Sequence, residues 1–283
     1  MTRDVTPADL TITPRDRRFG RGATQERWWM GGDPVATAFY NALSATFPKG
    51  EGFFVEAVRL FREGAPPKLA AEIKAFTTQE VMHSREHVQF NKRALEAGYD
   101  LAALEARVDQ RLAVTRAKPP IVSLAATMCL EHFTAILANQ LLSNPRHLGR
   151  ADPESAALWR WHAIEEIEHK GVAYDTWLHA TKAWPRRLRW KVKAKVMLFV
   201  TRNFIVDRTR GTLELLRQDG ITGPKAWARM FWFAWVRPGM LRKIFGAWLA
   251  FFLPRFHPWN HDDRALIETA ESRAPALGAP APV

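Results

Sequence analysis

Cysteine is almost absent from this 283-residue chain, in which Cys129 stands alone. Neither an intrachain disulfide nor a thiolate metal cluster can therefore form within it. The neighbours Met128 and Leu130 mark Cys129 as a small buried hydrophobe. β-Branched alternation is scarce, so helix formers govern most segments and an all-α fold is expected. No run of about 18 consecutive apolar residues occurs, and a conventional membrane-spanning helix is not expected. The opening MTRDVTPADLTITPRDRRFGRG has no apolar core of the kind a signal peptide needs, which leaves the cytosol as the default compartment. There is no glycine-rich phosphate loop and no internal repeat. Acid is scarce in one stretch: residues 181–245 hold 16 Lys or Arg against Asp207, Glu214 and Asp219, a net +13 beside +12 for the whole chain. Such a patch attracts nucleic acid, anionic lipid or an acidic partner protein, and charge alone does not choose among them.

Apolar periodicity of helical type predicts helices near 34–47, 51–63, 68–97, 101–114, 121–142 and 153–179. Pro48 and Gly50, the Gly64–Pro67 run, Gly98, the Pro119–Pro120 pair and Asn144–Pro145 punctuate them. Asp152 followed by Pro153 fits a helix cap with proline in the first turn. Further helices are expected at 187–206, 211–218, 224–236 and 239–252, in a basic and aromatic region.

Within this frame two Glu-x-x-His sequences stand out, Glu80–His83 and Glu166–His169. Residues three apart share a helix face, so each pair presents one carboxylate and one imidazole to the same point. Di-iron carboxylate bundles use this motif on two helices and a lone Glu on each of the other two. Ile73, Phe76, Glu80, His83, His87 and Phe90 fall on one stripe, which places ionisable groups in line with the core. A buried carboxylate needs a strong partner because its desolvation is costly, and metal ions supply one. Glu131 lies mid-way along a nearly charge-free helix, in line with Leu124, Thr127, Thr134 and Ala138. For the remaining helix Glu51 and Glu56 are both candidates. The stripe of Phe54, Val58 and Phe61 mildly favours Glu51, as does the similar spacing of Glu51 to Glu80 and of Glu131 to Glu166. His162, four residues before Glu166, joins the Glu166–His169 seam as a candidate seventh ligand. His87, four after His83, is a candidate ligand or proton carrier, and Glu131, His87 and His162 are the catalytic candidates. His132 points about 100° away from Glu131 and is expected to pack or face solvent. Glu165 and Glu168 are expected on the outer face or just behind the ligands.

Four segments carry a resemblance: Phe47–Phe54 (FPKGEGFF), Glu80–His87 (EVMHSREH), Glu131–Thr134 (EHFT) and Trp161–Lys170 (WHAIEEIEHK). Together they resemble a bacterial family labelled predicted metal-dependent hydrolase, over about residues 30–260. The resemblance points to Glu51 over Glu56 and implies metal dependence. The ligand pattern is also similar to that of ferritin-like di-iron proteins, with the His162, Glu166, His169 seam like that of p-aminobenzoate N-oxygenase, where a third His joins the ligands.

The resulting expectation is a ferritin-like four-helix bundle with additional C-terminal helices. Residues 1–32 read as an irregular arm and 33–180 as the metal-binding bundle. Residues 181–260 read as a basic aromatic extension packed on it, and 261–283 as a tail, Ala- and Pro-rich from about Ala274. Two Fe ions are expected on Glu51, Glu80, His83, Glu131, His162, Glu166 and His169, with Mn or mixed Fe/Mn as substitutes and Zn ranked lower. The leading function is a di-iron oxidase or oxygenase acting with O₂, and with an electron donor, on a partly apolar small molecule. The alternatives are a dinuclear metal-dependent hydrolase and a non-catalytic metal-binding or storage protein. A homodimer and peripheral contact with the anionic inner face of a membrane are further expectations. A nucleic-acid partner is not expected, since no reading motif is present.

Overall fold

The computed structural model describes residues 5–22 and 24–273, and among them every regular element is helical. Of the expected tail at 261–283, residues 264–273 form a helix and those from Ala274 onward lie outside the described residues. The chain runs through α1 (Pro34–Ser44), α2 (Phe47–Arg59), α3 (Pro67–Glu96), α4 (Ala102–Arg116), α5 (Pro120–Ser143), α6 (Pro153–His169) and α7 (Val172–Ala180). It continues through α8 (Arg186–Gln218), α9 (Gly223–Phe231), a π-helical stretch Trp232–Val236, α10 (Met240–Ala250) and α11 (Arg264–Arg273).

Local chemistry sets several of these starts. The Asp33 carboxylate accepts from the backbone N–H groups of Val35 and Ala36 and caps α1. Asp152 does the same for α6 through the N–H of Ser155, with Pro153 in the first turn as its spacing predicts. Proline also opens α3 and α5, where a missing N–H costs nothing.

Two expected boundaries differ. The helix expected to run from 153 to 179 is interrupted at Lys170–Gly171, where the Trp259 indole packs in the space that a side chain on Gly171 would occupy. The two helices expected at 187–206 and 211–218 are one, α8, which passes through Gly211. A Cβ there would sit 3.2 Å from Ala42 and from Leu104, so this glycine allows close packing rather than ending a helix.

α2 packs on α3 and α5, and α5 packs on α6, while α3 also meets α6. These four helices surround the candidate site. α8 lies against α1 and α5, and α10 lies against α5. Apolar residues gather into two clusters. One is built around Phe47, Phe90, Trp159 and Trp161, the other around Phe54, Phe76, Met128 and Phe133. The site touches both, since Phe47 packs edge-on to His87 and Phe76 edge-on to His169. By length and composition α5 could cross a membrane, but 67% of its apolar window is buried inside the protein, as suits a core helix. Residues 5–33 form no regular helix, yet they are pinned to the helices. The Arg15 N–H donates to Glu165, and the Phe19 N–H donates to Glu86.

Candidate metal centre

Glu51 on α2, Glu80 and His83 on α3, Glu131 on α5, and His162, Glu166 and His169 on α6 are all buried. Ligand-type atoms of Glu51, His83 and His162 lie within 4.8 Å of one another, as do those of Glu80, Glu131 and His169, and those of Glu80, His83 and Glu166. The i, i+3 spacing of the Glu-x-x-His pairs has the predicted result: His83 Nδ1 lies 3.8 Å from Glu80 Oε1, and His169 Nε2 lies 3.6 Å from Glu166 Oε1. Contacts across helices knit the groups together. His169 Nε2 is 3.1 Å from Glu80 and 3.4 Å from Glu131, and His162 Nε2 is 3.8 Å from Glu51 and, within α6 itself, 2.9 Å from Glu166. Glu56, the rival of Glu51, points away and pairs with Arg116 on the surface.

Each of three imidazoles has one nitrogen tied behind it and the other facing the carboxylates. His83 Nε2 contacts Glu165 Oε2 at 3.0 Å, and a carboxylate beside it favours the proton there, leaving Nδ1 bare. His169 Nδ1 lies 2.9 Å from the carbonyl oxygen of Gln79, which can only accept, so Nε2 is bare. For His162 the assignment follows a chain. Ser44 Oγ donates to Asn91 and therefore accepts from His87 Nδ1 at 2.8 Å. His87 Nε2 is then the acceptor for His162 Nδ1 at 2.7 Å, which leaves His162 Nε2 bare. Each of the three rings thus turns one nitrogen toward the carboxylate oxygens, as a lone pair when the ring is neutral and as a proton donor when it is charged, the form that the carboxylates favour for His169. His87 contacts no carboxylate of the group and orients His162 from behind.

Electrostatics show the same conflict. Burial, and then the Glu80 carboxylate, holds Glu51 well above the usual carboxylate range. Burial followed by Glu166 does this to Glu80, and burial followed by Glu80 does it to Glu131. Burial would raise Glu166 as well, but His169 and His162 beside it hold it well below. Burial pushes His83 and His87 down. For His169 burial is the largest single influence and lowers it, but Glu166, Glu131 and Glu165 together lift it to about 9.

The donor set fits metal ions on a direct observation. Glu51 Oε1, both oxygens of Glu80 and of Glu131, Glu166 Oε2, His83 Nδ1 and His169 Nε2 are buried without a hydrogen-bond partner. Orphaned buried polar atoms are rare, and a charged one costs several kcal/mol when nothing compensates it. Here the orphans are the atoms that face one another. Two divalent cations among them would balance four carboxylates and accept the imidazole lone pairs.

A family model described as predicted metal-dependent hydrolase matches residues 13–262. The chain belongs to that family. No curated protein and no solved structure matches it. For this predicted metal-dependent hydrolase, the expectation of a di-iron oxidase or oxygenase is corrected: membership of a hydrolase family overturns it and favours the dinuclear hydrolase given as the alternative. The sequence argument reached the oxidase because carboxylates and histidines on four helices suit O₂ activation. The same donors suit two-metal hydrolysis, and ligand spacing alone does not separate the two.

Other groups around the centre escaped the sequence reading. Gln79 holds His169 and donates from Nε2 to Glu168 at 2.9 Å, and Ser84 Oγ donates to Glu51 at 2.9 Å. Glu165 and Glu168, expected on the outer face or just behind the ligands, are buried behind them, and burial raises Glu165 to about 7. Glu168 accepts both guanidinium branches of Arg15. His132 packs, with Nε2 3.2 Å from the Ala247 carbonyl.

His162 and Glu166 also line a cavity of about 590 Å³. Its walls are mostly apolar and include Phe47, Phe53, Leu130, Leu137 and Phe204, with Arg107, Arg111, Lys118 and Lys195 among the charged lining residues.

Proposed function

We propose that this protein is a hydrolase working with two divalent metal ions held by Glu51, Glu80, His83, Glu131, His162, Glu166 and His169. The observation that carries the reading is the set of partnerless buried oxygens and nitrogens, which face one another at the junction of α2, α3, α5 and α6. Carboxylate and imidazole donors without a thiolate, shared between two ions, suit Fe²⁺ or Mn²⁺. Ions in this position supply Lewis acidity toward a carbonyl or phosphoryl oxygen and lower the pKa of an attacking water.

The chain's own residues perform the remaining tasks. Asn91, Ser44 and His87 form a relay that fixes the His162 proton on Nδ1 and so keeps Nε2 aimed inward. Glu165 and Gln79 do the same for His83 and His169. The apolar cavity admits the body of the substrate and excludes competing water, which points to an ester or amide with an apolar portion.

The test is elemental analysis of the purified protein followed by hydrolysis of chromogenic acyl esters before and after chelation. Two metal equivalents per chain are expected in the wild type, with a clear deficit in Glu80→Ala and Glu131→Ala. Ester hydrolysis should vanish on chelation and return with Mn²⁺ or Fe²⁺. Equal metal loading in wild type and both variants would defeat the reading.

A further inference from the structure

Two apolar stripes on the C-terminal helices face away from the protein. On α9 and the π-helical stretch that continues it, Trp227, Phe231 and Trp235 recur every fourth residue and are 54%, 61% and 42% exposed. On α10 and the turn after it, Phe245, Leu249 and Leu253 repeat the spacing and are 51%, 53% and 59% exposed. The opposite faces already supply the core, through the buried Ala226, Phe233, Met240, Ile244 and Phe251. The outward stripes therefore have no internal partner. Trp248 Nε1 donates to Thr201 at 2.9 Å and Trp190 Nε1 donates to the Phe252 carbonyl at 2.8 Å, so α10 runs beside α8 where Leu198 and Phe199 are also exposed. Around these residues Lys191, Lys195, Arg202, Lys225, Arg229 and Lys243 are exposed and make no ion pair among the described residues.

We infer that this face docks on an anionic lipid bilayer. Indole and phenyl rings settle at the level of the headgroups, aliphatic side chains reach the acyl boundary, and cations between them meet phosphate. Nucleic acid would engage the cations but leave Phe245, Leu249 and Leu253 in water. A second copy would cover the apolar stripes, but a two-fold contact would set the +13 of residues 181–245 against itself. A negatively charged bilayer satisfies both features at once. Lys195 and Phe199 line the 590 Å³ cavity as well, so docking sets the mouth of that cavity beside the lipid. The docking inference stands independently of the hydrolase reading.

The experiment uses the full chain with vesicles of phosphatidylcholine alone, and with vesicles containing about a third phosphatidylglycerol. Co-sedimentation should be at least about tenfold stronger on the anionic vesicles and should fall between ~50 and ~500 mM NaCl. Tryptophan emission of the wild type should be quenched by brominated acyl chains, a reading that depends on no variant. The combined variant Trp227→Ser, Phe231→Ser, Leu249→Ser should lose about tenfold or more in binding. So should Lys225→Glu, Arg229→Glu, Lys243→Glu, each with an unchanged far-ultraviolet spectrum. Absence of vesicle binding, binding that survives the serine variant, or a wild-type dimer that the serine variant dissociates would each overturn the inference. Binding to duplex DNA but not to vesicles at matched salt would also overturn it.

Discussion

Gln79 shows how much of this centre depends on side chains that never face it. Its carbonyl accepts from His169 Nδ1 and its amide donates to Glu168, so one residue sets a ring's tautomer and holds a buried carboxylate. Gln79→Leu keeps the shape and removes both bonds. Such partners commonly account for about 10–100-fold in metal affinity. That loss is expected here, measured by competition with a chromophoric chelator, and affinity within about twofold of wild type would remove Gln79 from this role. The candidate ligands stood out in the sequence because they share stripes with apolar residues, Glu165 and Glu168 were placed only on the outer face or behind those ligands, and Gln79 was not singled out. The periodicity argument gives α6 a solvated outer face, but α6 is buried on every side from Ser155 to Trp159 and from Trp161 to His169, and its extra carboxylates turn to interior donors. Lys193 offers a second measurement. Its ammonium is buried among Tyr174, Phe251 and Phe256, with the Leu253 carbonyl, the Tyr174 hydroxyl, Cys129 and His132 as its polar neighbours and no carboxylate partner among the described residues. Burial pulls it down from 10.5 to about 8. Between those values the unfolded chain binds more protons than the folded one, so stability rises with pH across this window. The penalty is fully present below pH 8 and amounts to at most about 3 kcal/mol. Urea midpoints from pH 7.5 to 10.5 should climb in the wild type relative to Lys193→Met, and parallel profiles would refute the assignment.

Helices α6 and α7 would be one rod if periodicity alone decided, since the pattern from Pro153 to His179 has no proline to stop it. A distant partner sits at the interruption. A Cβ on Gly171 would lie 2.7 Å from Trp259 Nε1 and 2.9 Å from its Cδ1, and Lys170 Nζ sits 4.1 Å above the same indole while pairing with Asp263. The residues after α10 are thereby clamped onto the end of the helix that carries His169. Gly171→Ala is expected to destabilise the protein by about 1–3 kcal/mol through overpacking. Trp259→Phe in the same chain should recover part of that loss, because the smaller ring can retreat. Thermal midpoints of the two single variants and the double variant give the coupling, and strictly additive effects would show that the indole is not what meets the new methyl group. The opposite error at Gly211 has the same origin. A glycine read as a helix boundary from sequence is an approach point for Ala42 and Leu104, which only three-dimensional packing reveals.

Across the molecule, the two ends of the chain close over α6. Arg15 donates to both oxygens of Glu168 at 2.9 and 2.7 Å, pairs with Glu271 on α11 at 2.8 Å, and its own N–H reaches Glu165. Thr6 donates to Asp175, and Arg264 donates to Asp9. Residues 5–22 and 24–32 form no regular helix and show no periodicity, and a polar, irregular stretch reads as a loose lead-in. Their charges instead turn inward and neutralise the carboxylates that α6 has no solvent face to display. Arg15→Ala would leave Glu168 buried with only the Gln79 amide and the Thr13 N–H. Removing one member of a buried ion pair costs about 3–5 kcal/mol, and the 16% exposure of the Arg15 side chain argues for the lower end. Arg15→Lys, which keeps the charge but loses the fork, should fall between Arg15→Ala and the wild type. In limited proteolysis the segment 5–22 should become cleavable in Arg15→Ala at protease levels that spare the wild type, and the chelator-competed metal affinity should fall in parallel, because Glu168 and Gln79 stand directly behind His169. If the arm were cut with no change in metal affinity, the carboxylates behind α6 would owe nothing to Arg15, and the closing role of the arm would be mechanical alone.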